Sequence, residues 1–95
     1  MNPSQKQPRV LVAGATGYLG KYAVQAFKRK GYFVRVLTRS EARLRQPGPF
    51  TAPALADEDF DEVFLGELTR PDTLAGVMDG IDLVFSSVGI SRQRD

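Results

Sequence analysis

Four short runs of apolar residues punctuate the chain, and polar, charged or glycine residues bound each run. The runs are rich in β-branched and aromatic side chains, which favour extended strands. Their apolar residues are nearly continuous, which is typical of strands that are buried on both faces of a parallel sheet. The pattern therefore predicts strands over residues 9–15, 32–40, 62–68 and 81–89.

A helical pattern separates the first two runs. Over residues 17–30, apolar side chains recur at i, i+4, i+7 and i+8, which predicts a buried helix face made of Leu19, Ala23, Ala26 and Phe27. Basic residues fill positions 28–30, in the last turn, where the helix dipole favours cations. Gly31 then fits the position just past the helix C-terminus, where glycine is common.

A second helix is predicted between the third and fourth runs. Thr69 fits an N-cap, Pro71 lies in the first turn, and Asp72 stands three residues after the cap, as in a capping box. Helical spacing continues to Asp79 and Gly80 closes the helix, whose predicted apolar stripe consists of Leu74, Val77 and Met78.

The stretch between the second and third runs is less regular. Residues 41–46 predict a short helix that Pro47 stops. Residues 47–61 contain three prolines and a cluster of acidic residues, which predicts an irregular loop.

Strands that alternate with helices indicate an α/β fold with a doubly wound parallel sheet and flanking helices. Right-handed crossovers make this arrangement nearly obligatory. We expect one domain over residues 9–95, after a disordered lead-in of residues 1–8.

Composition narrows the chemistry that is open to the chain. It has no cysteine and no histidine, which excludes disulfides, thiolate metal sites and histidine-dependent triads within these residues. The net charge is only +2 and the basic residues are scattered, so we expect no binding to nucleic acid. The N-terminus lacks the apolar core of a signal peptide, and no run could span a bilayer. We therefore expect no membrane association and a cytoplasmic location.

Three glycines lie at the junction of the first strand and the first helix. In this position the helix N-terminus presents free N–H groups and a positive dipole end to an anion. Gly14 would permit the tight turn out of the strand, Gly17 would let the backbone approach phosphates, and Gly20 would let the helix pack close to the sheet. The glycines therefore predict a pyrophosphate-binding loop, and the alternative is a tight turn without a ligand.

A phosphate loop of the nucleoside-triphosphatase kind fits these residues badly. Lys21 does follow Gly20, but Ala15 stands where that motif has its first glycine. Tyr22 replaces the serine or threonine that would hold magnesium.

With G-A-T-G-Y-L-G at residues 14–20, the chain resembles the atypical and extended short-chain dehydrogenase/reductases, especially their NmrA-like NAD(P)-binding group. Residues 38–40, 66–68 and 84–89 lie where that group has its other cofactor segments, and the resemblance covers residues 9–92. It implies a Rossmann-like sheet with strand order 3-2-1-4. The cofactor loop would comprise Gly14, Thr16, Gly17, Tyr18, Leu19 and Gly20.

The end of the second strand indicates which dinucleotide is bound. NAD-binding units place a carboxylate there, about 20 residues past the glycines, whereas an arginine suits the 2′-phosphate of NADP. Arg39 lies 19 residues past Gly20, and no carboxylate comes before Glu41. We therefore expect NADPH rather than NADH, with Thr38, Ser40 and Arg43 as possible helpers. The alternatives are a solvated Arg39 at the strand end and an Arg43 that belongs to the surface.

The resemblance assigns further residues to the cofactor. An acidic residue after the third strand often faces the adenine, and the matching position is Glu67, although the family more often has aspartate. Leu68 would be an apolar neighbour of the adenine. After the fourth strand, the ribose and nicotinamide side would be lined by Ser86, Ser87, Val88 and Gly89. For the two serines, the alternative is a pair of strand-end polar groups without a ligand.

The usual catalytic pair of short-chain reductases, Tyr-x-x-x-Lys, is absent from these residues. The chain has three tyrosines, Tyr18, Tyr22 and Tyr32. The residues four positions later are a tyrosine, an alanine and a valine, respectively. We therefore predict no catalytic residue here and expect the chain to be the truncated N-terminal half of a family member. Such a truncation would leave the fourth strand with an apolar edge that could recruit a partner or a second copy.

Three functions remain open. The first is the cofactor-binding part of an NADPH-dependent reductase, which is an enzyme only at full length. The second is a non-enzymatic NmrA-like dinucleotide sensor, and the third is an inert fragment.

Overall fold

The four apolar runs form a parallel sheet in the computed structural model, which describes residues 7–48, 50 and 52–86. The strands are β1 (Arg9–Ala13), β2 (Phe33–Thr38), β3 (Glu62–Leu65) and β4 (Leu83–Ser86). Within the described residues, they make one sheet in the order β3-β2-β1-β4, with every neighbouring pair parallel. The predicted fold class and strand order are confirmed, and each strand is shorter than its predicted range.

The centre of the sheet forms the core, since both of its faces are covered. Val10 pairs with Val34 and Val12 with Val36, and all four side chains are fully buried. They belong to the apolar cluster on the α1 side, together with Val24. A second cluster covers the opposite face and consists of Leu11, Ala13, Leu37 and Val77. Burial on both faces explains why the runs are continuous rather than alternating.

Helix α1 (Tyr18–Arg29) connects β1 to β2, as predicted, but its predicted buried face is wrong in part. Leu19 is 51% exposed, whereas the fully buried positions are Gly20, Lys21 and Val24. Phe27 does pack against the core, as predicted. Compared with the predicted orientation, the helix is rotated about its axis, because Gly20 faces the turn after β1. Gly31 follows α1 with φ +92°, as expected of a residue that ends a helix.

The helix predicted over residues 69–79 is wrong. Only Pro71–Thr73 form a short 3₁₀ helix, which starts after Arg70 rather than at Thr69. Turns follow, with left-handed backbone at Gly76 (φ +83°) and Gly80 (φ +74°). A left-handed residue cannot continue an α-helix, so the apolar spacing in this segment does not produce a helical face. Val77 is buried all the same, while Met78 is 49% exposed.

The other connections agree with expectation in outline. Helix α2 (Glu41–Leu44) follows β2, and its Leu44 side chain is fully buried. Within the predicted loop, Asp57–Asp59 form a 3₁₀ turn. Residues 1–6 of the predicted lead-in lie outside the described residues. The Pro8 carbonyl accepts a hydrogen bond from the Phe33 amide at 2.8 Å.

A buried arginine ties the turns after the 3₁₀ helix to the sheet. Arg35 on β2 is 7% exposed, and its Nε donates to Glu62 Oε1 at 2.7 Å. Its Nη1 donates to the carbonyl oxygens of Val77 at 2.6 Å and Asp79 at 3.0 Å. The arginine therefore supplies the donors that two inward-facing carbonyls need.

At the other side of the sheet, β4 pairs with β1 and leaves Leu83 and Val84 42% and 46% exposed. No helix in the described part of the chain is long and apolar enough to cross a membrane.

Replacing the Arg35 side chain tests its structural role. We expect Arg35→Met to lower the free energy of unfolding by about 2 kcal/mol, because the carbonyls of Val77 and Asp79 lose their buried donor. Urea denaturation measures this change. The matched control, Arg29→Met, alters an exposed arginine of α1 and should change stability by less than about 0.5 kcal/mol. Equal midpoints for the two variants would contradict this role.

Candidate functional site

The glycine loop, residues 14–20, forms a tight turn between β1 and α1. Gly14 has φ +79°, and its carbonyl accepts a hydrogen bond from the Gly17 amide at 3.1 Å. Gly17 is the N-cap of α1, and no side chain caps the helix. The first turn of α1 also contains no acidic residue. The positive end of the helix dipole therefore lacks a compensating side chain from the helix itself.

The fold requires two of the three glycines of the loop, for different reasons. Gly14 adopts a left-handed backbone that other residues adopt at a cost. A Cβ on Gly20 would lie 2.0 Å from the Gly14 carbonyl oxygen and 2.8 Å from Ala15 Cα, so only glycine fits there. The close-packing role predicted for Gly20 is confirmed.

Gly17 is different, because neither its backbone nor its surroundings require a glycine. Its φ of −87° and ψ of 178° are open to any residue. A Cβ would meet only the Gly14 carbonyl oxygen, at 3.6 Å, which is an ordinary contact. Glycine is favoured at an N-cap, but so are serine, threonine, asparagine and aspartate, so the fold does not single out glycine at position 17.

A cleft of about 290 Å³ opens at the carboxyl ends of β1, β2 and β3. This is the edge where doubly wound sheets bind their ligands. The cleft is lined by Gly14, Thr16, Leu37, Thr38, Arg39, Arg43, Gly66, Glu67, Leu68 and Thr69. It thus brings together five residues that the sequence assigned to one site, namely Gly14, Thr16, Arg39, Glu67 and Leu68.

The remaining predicted site residues do not line this cleft. The adjoining loop and the start of α1 contain Gly17, Tyr18 and Leu19. The side chains of Tyr18 and Leu19 are exposed. Ser86 ends β4 opposite Ala13. Residues 87–89, which include the predicted Ser87, Val88 and Gly89, lie outside the described residues.

Two arginines present their charge to the cleft. Arg39 and Arg43 are exposed, and neither side chain has a hydrogen bond or ion pair with another residue of the described chain. The nearby carboxylate of Glu41 is engaged elsewhere, since it accepts from Arg45 at 3.3 Å. The hydrogen bonds that Arg45 donates to Asp57 and Glu41 raise the pKa of Arg45. Among the described residues, neither arginine of the cleft is ion-paired, although the Glu67 side chain lines the same cleft.

The segment that carries these arginines is held at its start. The Thr38 hydroxyl donates to the Ser40 carbonyl and accepts from the Ser40 amide, both at 3.1 Å. Ser40 in turn is the N-cap residue of α2. Arg39 thus lies between a buried strand residue and the start of a helix. Arg43 follows one turn later, and its place in the cleft is something that the sequence left open.

The opposite wall of the cleft is built by the turn after β3. A Cβ on the buried Gly66 would lie 2.8 Å from the Thr73 carbonyl oxygen, so this turn is also tightly packed. The Glu67 amide donates to Thr73 Oγ1 at 2.9 Å, and Thr69 Oγ1 donates to Glu67 Oε1 at 3.4 Å. Thr69, which the sequence predicted as a helix cap, instead orients the Glu67 carboxylate. Leu68 is 49% exposed beside it.

Lys21 directly follows the glycine loop, yet it does not line the cleft. Its side chain is fully buried, and its ammonium donates to the carbonyl oxygens of Leu44 and Gln46. Burial lowers the pKa of Lys21 below its ordinary value. From the sequence, Lys21 was weighed only as the lysine of a phosphate loop. The spacing of apolar residues along α1 does not mark it as buried.

Comparison with known proteins agrees with this architecture. The NmrA-like family matches residues 6–95. Sanguinarine reductase of Eschscholzia californica is 34% identical over 97 residues, which cover 99% of this chain and 32% of that protein. A phenylcoumaran benzylic ether reductase of Pyrus communis is 34% identical over 91 residues, covering 92% of this chain and 28% of the relative.

Solved structures give the same result. Vestitone reductase from alfalfa matches with a TM-score of 0.60 and 27% identity, over 88% of this chain and 27% of that one. A short-chain dehydrogenase from Sphingobium yanoikuyae in complex with NADPH matches with a TM-score of 0.56 and 26% identity, over 81% and 32% of the two chains. The chain thus spans about a third or less of each of these relatives.

The close approach at Gly20 can be tested by adding one methyl group. We expect Gly20→Ala to lower the free energy of unfolding by about 3 kcal/mol, because its Cβ would collide with the Gly14 backbone. The matched control is Gly17→Ala, which should cost about 1 kcal/mol or less, the penalty of a poorer N-cap. Urea denaturation of both variants decides the point, and equal losses would show that α1 does not depend on this contact.

Proposed function

Because the chain belongs to the NmrA-like family, we propose that it binds a nicotinamide dinucleotide across its glycine loop and cleft, with NADPH preferred over NADH. The pyrophosphate would lie at the N-terminus of α1, where free amides and the helix dipole favour an anion. The adenosine half would extend into the cleft at the ends of β2 and β3.

The observation that carries this proposal is the glycine at position 17. The backbone and packing of the folded chain explain Gly14 and Gly20, but they do not require Gly17. A phosphate group that approaches the backbone closely would require it, since any side chain there would occupy the phosphate's place. The uncapped start of α1, which has no acidic residue, supports the same assignment.

The preference for NADPH rests on the arginines of the cleft. Arg39 and Arg43 face it without a partner among the described residues, at the strand end where NAD-binding units carry an acid. A guanidinium can donate two parallel hydrogen bonds to a phosphate, and its charge compensates the dianion. We assign the 2′-phosphate to Arg39, with Arg43 beside it.

The other contacts follow from the same placement. Glu67, which Thr69 orients, would face the adenine amino group, and Leu68 would cover the ring. Thr16, Tyr18 and Leu19 would complete the phosphate loop. Ser86 and the residues after it, Ser87, Val88 and Gly89, would line the ribose and nicotinamide side.

The proposal also concerns the reaction of the whole protein. Three of the proteins to which the chain is similar are named reductases, so hydride transfer is the first candidate, with this chain as its cofactor-binding part. A dinucleotide sensor without catalysis is the alternative. None of the three tyrosines has a lysine four positions later, so these residues supply no catalytic pair of their own. Turnover by a protein that includes the second half of the fold would distinguish the two.

The phosphate-loop assignment predicts a loss that both dinucleotides share. We expect Gly17→Val to weaken NADPH and NADH alike, by about a hundredfold, because the branched side chain displaces the common pyrophosphate from its charge-assisted hydrogen bonds. Calorimetric titration measures both affinities, and circular dichroism confirms the fold. Unchanged affinity for either dinucleotide in the folded variant would refute the assignment.

The 2′-phosphate assignment predicts a selective loss instead. We expect Arg39→Asp to weaken NADPH by about a hundredfold and NADH by less than about threefold, because only NADPH carries the phosphate that the new carboxylate repels. The control is Arg29→Asp, at an exposed position on α1, which should alter neither affinity. If Arg39→Asp weakens the two dinucleotides equally, the 2′-phosphate lies elsewhere.

A further inference from the structure

Lys21 connects the two halves of the proposed binding site. It lies in the first turns of α1, one residue after the glycine loop, and its ammonium ends at the last residues of α2 and the turn that follows. The Leu44 carbonyl accepts from Lys21 Nζ at 3.3 Å, and the Gln46 carbonyl accepts from the same nitrogen. One side chain therefore links the pyrophosphate loop to the helix that carries Arg43.

The burial of Lys21 shows that this link is built into the fold. The side chain is fully buried, in the same interior as Leu44. Its methylene stem runs past Gly48, where an added Cβ would lie 3.2 Å from Lys21 Cδ and 3.4 Å from Cε. A buried ammonium is stable only when hydrogen bonds replace the water it has lost, and here backbone carbonyls do so.

Helix α2 needs such an anchor because it is very short. It comprises four residues, Glu41–Leu44, and a helix of one turn is not stable by itself. At its start, the Thr38 hydroxyl holds Ser40. At its end, the Leu44 carbonyl accepts from the Leu55 amide at 2.8 Å as well as from Lys21. Without Lys21, the Gln46 carbonyl has no donor from another side chain in the described residues.

We infer that Lys21 is a positioning residue that sets the preference for NADPH. It fixes the distance between Arg43 on α2, which would lie beside the 2′-phosphate, and the α1 N-terminus, which would hold the pyrophosphate. It contacts neither phosphate, because its ammonium is used by Leu44 and Gln46. This inference rests on the proposed function and adds to it a residue outside the cleft that determines selectivity.

The test is the ratio of NADPH to NADH affinity in Lys21→Met, measured by calorimetric titration of the 95-residue chain. Methionine keeps the apolar stem and removes the ammonium. We expect the NADPH preference to fall by about tenfold, the equivalent of one weakened charge-assisted hydrogen bond, while NADH affinity changes little. Lys30→Met, at an exposed lysine at the end of α1, is the matched control and should keep the wild-type ratio.

Hydrogen exchange supplies a readout that needs no ligand. In Lys21→Met we expect faster exchange of the Arg43 and Arg45 amides of the α2 segment, while the β1 amides keep their wild-type rates. If Lys21→Met does not fold, Gly48→Ala provides the second variant, since its new methyl group presses on the lysine stem. It should shift the affinity ratio in the same direction.

The outcomes separate this inference from the function on which it rests. A wild-type chain that prefers NADPH, with an unchanged preference in both folded variants, would overturn the role of Lys21 and leave the proposed function standing. A wild-type chain that binds neither dinucleotide, or binds both equally, would overturn the inference together with the proposed NADPH site. Equal losses of NADPH and NADH would show that Lys21 only stabilises the fold.

Discussion

Helix α1 can approach the end of β1 only because residue 20 has no side chain. A single methyl group at Gly20 would lie 2.0 Å from the Gly14 carbonyl oxygen, well inside any tolerated contact. This approach places the uncapped N-terminus of α1 directly at the carboxyl end of β1. It also determines which face of α1 is buried, and therefore sends Lys21 into the interior and leaves Leu19 in solvent.

Two buried cations extend this arrangement to the loops on either side. Lys21 donates to carbonyls at the end of α2, and Arg35 donates to carbonyls in the turns before β4. In both cases a charged side chain donates hydrogen bonds to backbone carbonyls that would otherwise bind water. These bonds offset the free-energy cost of burying the carbonyls. Lys21 thus ties the α2 side of the cleft to the core, and Arg35 ties the turns before β4 to the sheet.

The sequence predicts those parts of the fold that depend on regular periodicity or on single-residue geometry. The apolar runs indicate four strands, and right-handed crossovers then leave few orders for a parallel sheet. The roles of Gly14 and Gly20 follow from glycine's freedom and size. The predicted helix over residues 69–79 was wrong because left-handed turns at Gly76 and Gly80, stabilised by the distant Arg35, override local spacing.

The sequence likewise predicts some residues of the candidate site and misses others. Arg39, Glu67 and Leu68 follow strand ends, and strand ends of a parallel sheet converge, so their meeting in one cleft was foreseeable. Arg43 and Thr69 line the cleft because the short segments that contain them bend towards it. The spacing of apolar residues in these segments does not predict that bend. The role of Lys21 depends on carbonyls 23 and 25 residues away in the chain, which no local pattern reveals.

The most direct test of the account is a parallel calorimetric titration of the wild-type chain with NADPH and NADH. The account predicts that both bind, because they share the pyrophosphate, and that NADPH binds more tightly by about tenfold or more through its 2′-phosphate. A folded chain that binds neither dinucleotide, or that binds NADH more tightly, would contradict it.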